Sequence, residues 1–155
     1  MDGQNSLMIA APQKRVVSFV IDDIIISLFF LVIFYDQFVG FLQVIPQDQH
    51  SQSQYLLEAM NQFVSVNIVW LLSLKVLYHT VLVWQNGMTL GKYFMKIKVV
   101  SLEDNEKPSL MVAFYRALLR IPSELFFYLG FLMAFFVPLK QTFHDKFSHC
   151  VVVDA

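Results

Sequence analysis

The stretch RVVSFVIDDIIISLFFLVIFY, residues 15–35, constrains this chain more than any other. Its length and apolarity suit a bilayer-crossing helix, since about 20 residues at about 1.5 Å each cover a hydrocarbon core of about 30 Å. Two adjacent carboxylates, Asp22 and Asp23, nevertheless lie in its middle, and Arg15 precedes the first of them by two helical turns. A charge at the centre of such a helix costs about 2.5–3.5 kcal/mol on insertion scales. Charges at that depth are therefore neutralised, paired, or placed on a path for ions or protons.

The rest of the composition agrees with a membrane setting. The chain has 155 residues, enough for one domain, and is 57% hydrophobic but only 15% charged, against about 25% charged in an ordinary soluble domain. Its net charge of −1 offers no basic field for nucleic acid. The single cysteine, Cys150, rules out an internal disulfide and reads as a small apolar residue of the last strand. The first apolar run is too long for a signal-peptide core and carries acids, so it is expected to stay as a first span.

Along the chain, residues 1–13 read as a flexible N-terminus and 14–153 as one transmembrane domain. Spans are expected at 16–35 and 62–84, joined by a loop over 36–61, with Tyr78 and Trp84 at a headgroup boundary. Residues 96–101 and 150–153 are β-branched and read as short strands that pair as a small ribbon. Residues 110–121 form an amphipathic helix with Arg116 and Arg120 on one face, broken by Pro122 and Ser123. The remainder of 110–137 is short for a span and is expected to form a membrane-associated hairpin or a third span. The fold class is thus an all-α membrane protein, a small transmembrane helical bundle with a minor cytoplasmic β-ribbon.

Orientation follows from lysine and arginine. Loop 36–61 has neither, whereas Lys14 and Arg15 precede the first span and Lys92, Lys96, Lys98 and Lys107 follow the second. The N-terminus and loop 85–108 are therefore expected on the cytoplasmic side. Lys140 and Lys146 argue for the same side for the tail. Lys92, Lys96 and Lys98 are expected to face anionic lipid, at about 1 kcal/mol each.

With the first span entering and the second returning, Asp22, Asp23 and Lys75 fall at nearly the same depth. His79 lies one turn from Lys75 on the same face. Asp22 shares a helix face with Ser18 and Arg15, and Asp23 points about 100° away towards Ser27, so the two carboxylates do not share one partner. One reading is a structural ion pair in which Lys75 and one aspartate lock the spans together. The other is a carboxylate that exchanges protons or binds a cation. Asp145 is expected to hold Arg116 or Arg120 at the cytoplasmic end, and His144 and His149 read as exposed.

No zinc spacing is present, and TLGK, residues 89–92, lacks the full phosphate-loop pattern, so neither metal nor cofactor is expected. Gly87 and Gly91 read as sites of a sharp exit from the second span and of close packing. No nucleophile–base constellation stands out, and enzyme chemistry is not expected.

Four blocks in order resemble a known family, the RDD proteins, named for an arginine and two aspartates. RVVSFVID (15–22) has the spacing of its first-helix arginine and aspartate. GMTLGKYFMKIKVV (87–100) is similar to its loop after the second span, and AFYRALLR (113–120) to its third-helix start. TFHDKFSHCVVV (142–153) resembles its closing motif, with Asp145 as the other named aspartate. Asp23, Lys75 and His149-Cys150 depart from that pattern. The resemblance implies a bacterial inner-membrane protein of a family whose role is unsettled, with transport suspected. Two or three spans are too few to enclose a polar route, so partners beyond the lipid bilayer are expected to be further copies of the chain or another membrane protein. The two functions weighed are movement of protons or cations through the buried carboxylates, and a non-transporting accessory or scaffold role binding partner proteins or lipids.

Overall fold

The computed structural model describes residues 8–43, 49–125 and 140–155. Among these described residues, six helices and two strands follow in order: α1 (Pro12–Ile33), α2 (Tyr35–Gln43), α3 (Gln49–Asn86), α4 (Leu90–Phe94), β1 (Ile97–Ser101), α5 (Leu110–Leu125), α6 (Phe143–Phe147) and β2 (Cys150–Asp154). Two of the helices, α1 and the 53–86 part of α3, are long and apolar enough to cross a membrane.

Helix α1 starts earlier than the apolar run suggests. Pro12 sits in its first turn, where its missing N–H costs nothing and its fixed φ favours entry. Residues 8–13 are accordingly not a loose leader. Ile9 bridges to Val153, and the Ala10 N–H donates to the Val152 carbonyl at 3.1 Å. Residues 1–7 lie outside the described residues.

The buried residues of α1 are Arg15, Ser18, Asp22, Ile26 and Phe30, a stripe at three- and four-residue spacing on a single face. Val16, Val20, Ile24 and Leu28 are exposed, as lipid-facing positions require.

The expected loop 36–61 is largely helical instead. Residues 49–61 form the first turns of α3, which extends the second span towards its N-terminus, and α2 packs along α3. Phe63 explains this packing, because it meets Phe30 and Phe38 edge-on with ring centroids 5.6 Å apart in both cases. Asn67 adds a hydrogen bond to Gln37 at 3.0 Å. At 38 residues and about 1.5 Å per residue, α3 is about 57 Å long, well beyond the hydrocarbon thickness.

At its other end α3 stops at Gly87, whose φ of +70° turns the chain and whose carbonyl accepts the Val99 N–H at 2.7 Å. Strands β1 and β2 pair antiparallel, Val99 opposite Val152 and Val100 opposite Val151. One face of the ribbon joins Ala10, Val83, Ala113 and Cys150 in an apolar core with Ile97, Val99 and Val152. This core fastens the ends of α1, α3 and α5 to one another.

Pro122 does not end its helix; α5 runs on to Leu125. An internal proline removes one backbone hydrogen bond, and packing of α5 along α3 outweighs that loss. The expected hairpin or third span over 110–137 falls partly outside the described residues, at 126–139.

Gly91 lets α4 approach the backbone of α1 closely. A Cβ there would stand 2.1 Å from the Ser18 carbonyl oxygen, a backbone atom that cannot yield. Gly40 in α2 has nothing within 4 Å of such an atom. Gly91→Ala is expected to lose about 3 kcal/mol or more through overpacking, whereas Gly40→Ala gains about 0.5–1 kcal/mol from helix entropy. Thermal unfolding in detergent distinguishes the two, and equal effects would remove the close-packing account.

Candidate functional site

The polar stripe of α1 faces α3, α4, α5 and α6 at the ribbon end of the bundle, and together they enclose a box of buried charge. Asp22 and Asp145 are both fully buried, and Arg15, Lys92, Arg116 and Arg120 are at most 7% exposed. Burial of this kind is tolerated only where hydrogen bonds and opposite charge replace water.

Asp145 anchors one wall. Its carboxylate accepts from Arg116 Nε at 2.9 Å and from Arg116 Nη2, and Arg15 Nη1 lies 3.4 Å from its other oxygen. The Thr142 N–H donates to that same oxygen at 3.3 Å, which caps α6. Arg15 spreads further, donating to the Val152 carbonyl at 2.8 Å and to the Lys140 carbonyl. One guanidinium therefore links α1, the ribbon and the segment leading to α6. Burial alone would raise the Asp145 carboxyl, but Arg116, His144 and Arg15 outweigh it and hold it well below the usual carboxylate range.

Asp22 forms the other wall through three donors. Thr89 Oγ1 donates at 2.6 Å, Tyr78 Oη at 2.8 Å and the Gly91 N–H at 2.8 Å. The Thr89 hydroxyl in turn accepts from the Lys92 N–H at 3.4 Å and caps α4. Tyr78 thus points its hydroxyl into the box. Its hydroxyl turns inward because a buried carboxylate needs donors.

Asp23 points elsewhere. Its carboxylate lies 2.7 Å from Lys75 Nζ, with side-chain exposures of 32% and 18%. Lys75 therefore joins the second aspartate of the pair. His79 turns to the box instead, its Nδ1 3.1 Å from Arg120 Nη1. A guanidinium only donates, so Nδ1 accepts and the ring is neutral with its proton on Nε2. Arg120 also stacks over the Phe19 ring, 4.6 Å from the centroid. Of the two arginines expected near Asp145, Arg116 is its partner and Arg120 faces His79.

Two expectations about the surface are corrected. Lys92 does not face lipid; it is buried beneath α1, its Nζ 3.5 Å from Thr89 Oγ1, because Gly91 draws the start of α4 against α1. Lys96 and Lys98 are exposed. His144 is buried rather than exposed, and its ring lies 3.1 Å from Thr142 Oγ1, while His149 is exposed. Burial is the main cause that lowers the His144 imidazole well below its usual range, against the pull of Asp145. The sequence reading placed Thr89 and Thr142 inside the blocks it quoted and Tyr78 at a headgroup boundary, but gave none of the three a role at a buried site. Among the described residues no group of three or more His, Cys, Asp or Glu is placed to hold a metal ion.

Lys92 gives the box a measurable pH response. Burial pushes its ammonium down from 10.5 to about 7, against the attraction of Asp22. Between those values the unfolded chain binds the proton and the fold does not, so stability rises with pH from about 7 to about 10.5 and is flat below. Lys92→Met is expected to flatten that rise in unfolding curves recorded across the window. At neutral pH, Asp145→Asn is expected to cost about 3–5 kcal/mol, because it leaves two buried guanidinium groups without their shared countercharge. An Asp145→Asn protein as stable as the parent would refute that role.

Comparison with known proteins adds the last element. No curated protein and no solved structure matches the chain. The model of the RDD family matches residues 9–149, which include Arg15, Asp22 and Asp145 and hence both walls of the box. With two helices able to cross a bilayer, this marks a membrane protein, and the chain belongs to the RDD family.

Proposed function

We propose that this RDD protein moves protons or cations across the bacterial inner membrane, with Asp23 as the exchange site and Lys75 as its tethered countercharge. The carrying observation is the difference between two neighbouring carboxylates. Asp22 is fully buried and held by three donors, whereas Asp23 is a third exposed and lies against an ammonium 2.7 Å away. A carboxylate at membrane depth that can leave its lysine and take up a proton or a cation is the usual element of such a route. Asp22 and Asp145 serve the scaffold that sets its position.

Residues 8–10, β1 and β2 hydrogen-bond to one another, and Lys14 pairs with Asp154, which supports both ends of the chain lying on one side of a multi-pass bundle. The lysine distribution favours the cytoplasm for that side. The two membrane-length helices do not enclose a polar channel by themselves, which favours a homo-oligomer or a larger membrane partner. A second reading rests on the same contact: the Asp23–Lys75 pair bridges α1 and α3, as a structural lock in an accessory or scaffold protein would.

Reconstituted liposomes separate the two. Transport predicts that Asp23→Asn folds normally and loses pH- or cation-gradient-driven flux by about tenfold or more, in the range expected when a proton-transferring group is removed. The scaffold reading predicts no flux in the parent protein, a loss of stability in Asp23→Asn, and its rescue by Lys75→Met. Absence of flux with protons, sodium or potassium across pH 6–9 would rule out the transport reading.

A further inference from the structure

We propose that the charge box is a binding site for a small monovalent anion of halide type, enclosed between Arg15, Lys92 and Arg116. This site is separate from the Asp23–Lys75 pair and does not depend on the transport reading. Three observations carry it, beginning with the charge inventory. Among the described residues, Arg15, Lys92 and Arg116 are buried together with the carboxylates Asp22 and Asp145, so with Lys92 protonated three cations meet two anions. A surplus positive charge in a medium of low dielectric is costly, and one bound anion removes it.

The second is space. A chamber of about 20 Å³ is lined by Arg15, Lys92, Arg116, Arg120, His144 and the Asp145 carboxylate, among others. That is room for one particle of about the size of water. A halide fits that description, and a phosphate or a lipid headgroup does not.

The third is unspent donor capacity at the chamber wall. Arg15 Nε is buried and has no hydrogen-bond partner among the described residues, although both Nη atoms of the same guanidinium are engaged. The Lys92 ammonium makes one long contact at 3.5 Å, to Thr89, and has capacity for more. Burial pushes Lys92 down to about 7, and an adjacent anion would favour its charged form.

The test uses the full chain purified in detergent without halide. Unfolding temperature is measured in sodium chloride, bromide, gluconate and phosphate at equal ionic strength, and the chloride-35 NMR linewidth is followed with bromide as competitor. Chloride and bromide are expected to raise the unfolding temperature saturably by several degrees, gluconate and phosphate not. Bromide is expected to reverse the line broadening. Lys92→Met is expected to weaken the halide response at least tenfold, and Lys92→Arg to retain it. Equal stabilisation by all four salts, or line broadening that bromide does not compete, overturns the site. A full halide response in Lys92→Met overturns it as well. Should Lys92→Met fail to fold, the competed linewidth of the parent protein decides alone.

Discussion

Everything at the ribbon end of this molecule depends on one carboxylate serving two guanidinium groups. Asp145 is the shared countercharge of Arg15 and Arg116, which come from α1 and α5. Neither arginine can enter a dry interior alone, and each brings its helix with it. Arg15 has also spent its Nη donors on the carbonyls of Lys140 and Val152, so its position fixes the backbone of the tail as well as its charge. The arrangement specifies one mutual placement of α1, α5, α6 and β2. A purely apolar contact of the same area would tolerate sliding.

The adjacent aspartates show how helical geometry divides labour. A rotation of about 100° between neighbours sends Asp22 to the interior and Asp23 to the flank. Inside, Asp22 meets backbone and hydroxyl donors from α4 and α3 and becomes a structural centre. On the flank, Asp23 meets a single flexible ammonium and keeps partial access to its surroundings. The surroundings thus give two chemically identical neighbours opposite roles, one immobile and one able to change partners.

Much of this was legible in the residues. The stripe Arg15, Ser18, Asp22 follows from three- and four-residue spacing, the ribbon from two β-branched runs, and the depth match of Lys75 with the aspartates from counting residues along two antiparallel spans. The inward turn of Lys92 was not legible. A lysine near a membrane boundary normally points to headgroups, and only the closeness of Gly91 to the α1 backbone forces this one under the helix. His144 escaped for a related reason, since its burial comes from α6 closing the box. Pro122 and the 36–61 segment misled because local propensity speaks for a break where packing along α3 favours continuation.

The ribbon also bears on the order of biosynthesis. Its strand β2, which lies between β1 and residues 8–10, is made after α1, α3 and α5, yet it supplies the carbonyl that Arg15 requires and the edge against which Ala10 lies. During translation the first helix therefore waits with a bare guanidinium at its end while the rest of the chain emerges. Its early integration into lipid has to rest on its apolar flank alone. The arrival of the last strand closes the structure, so a chain that stops before Val152 lacks both the carbonyl acceptor of Arg15 and the strand edge that Ala10 pairs with.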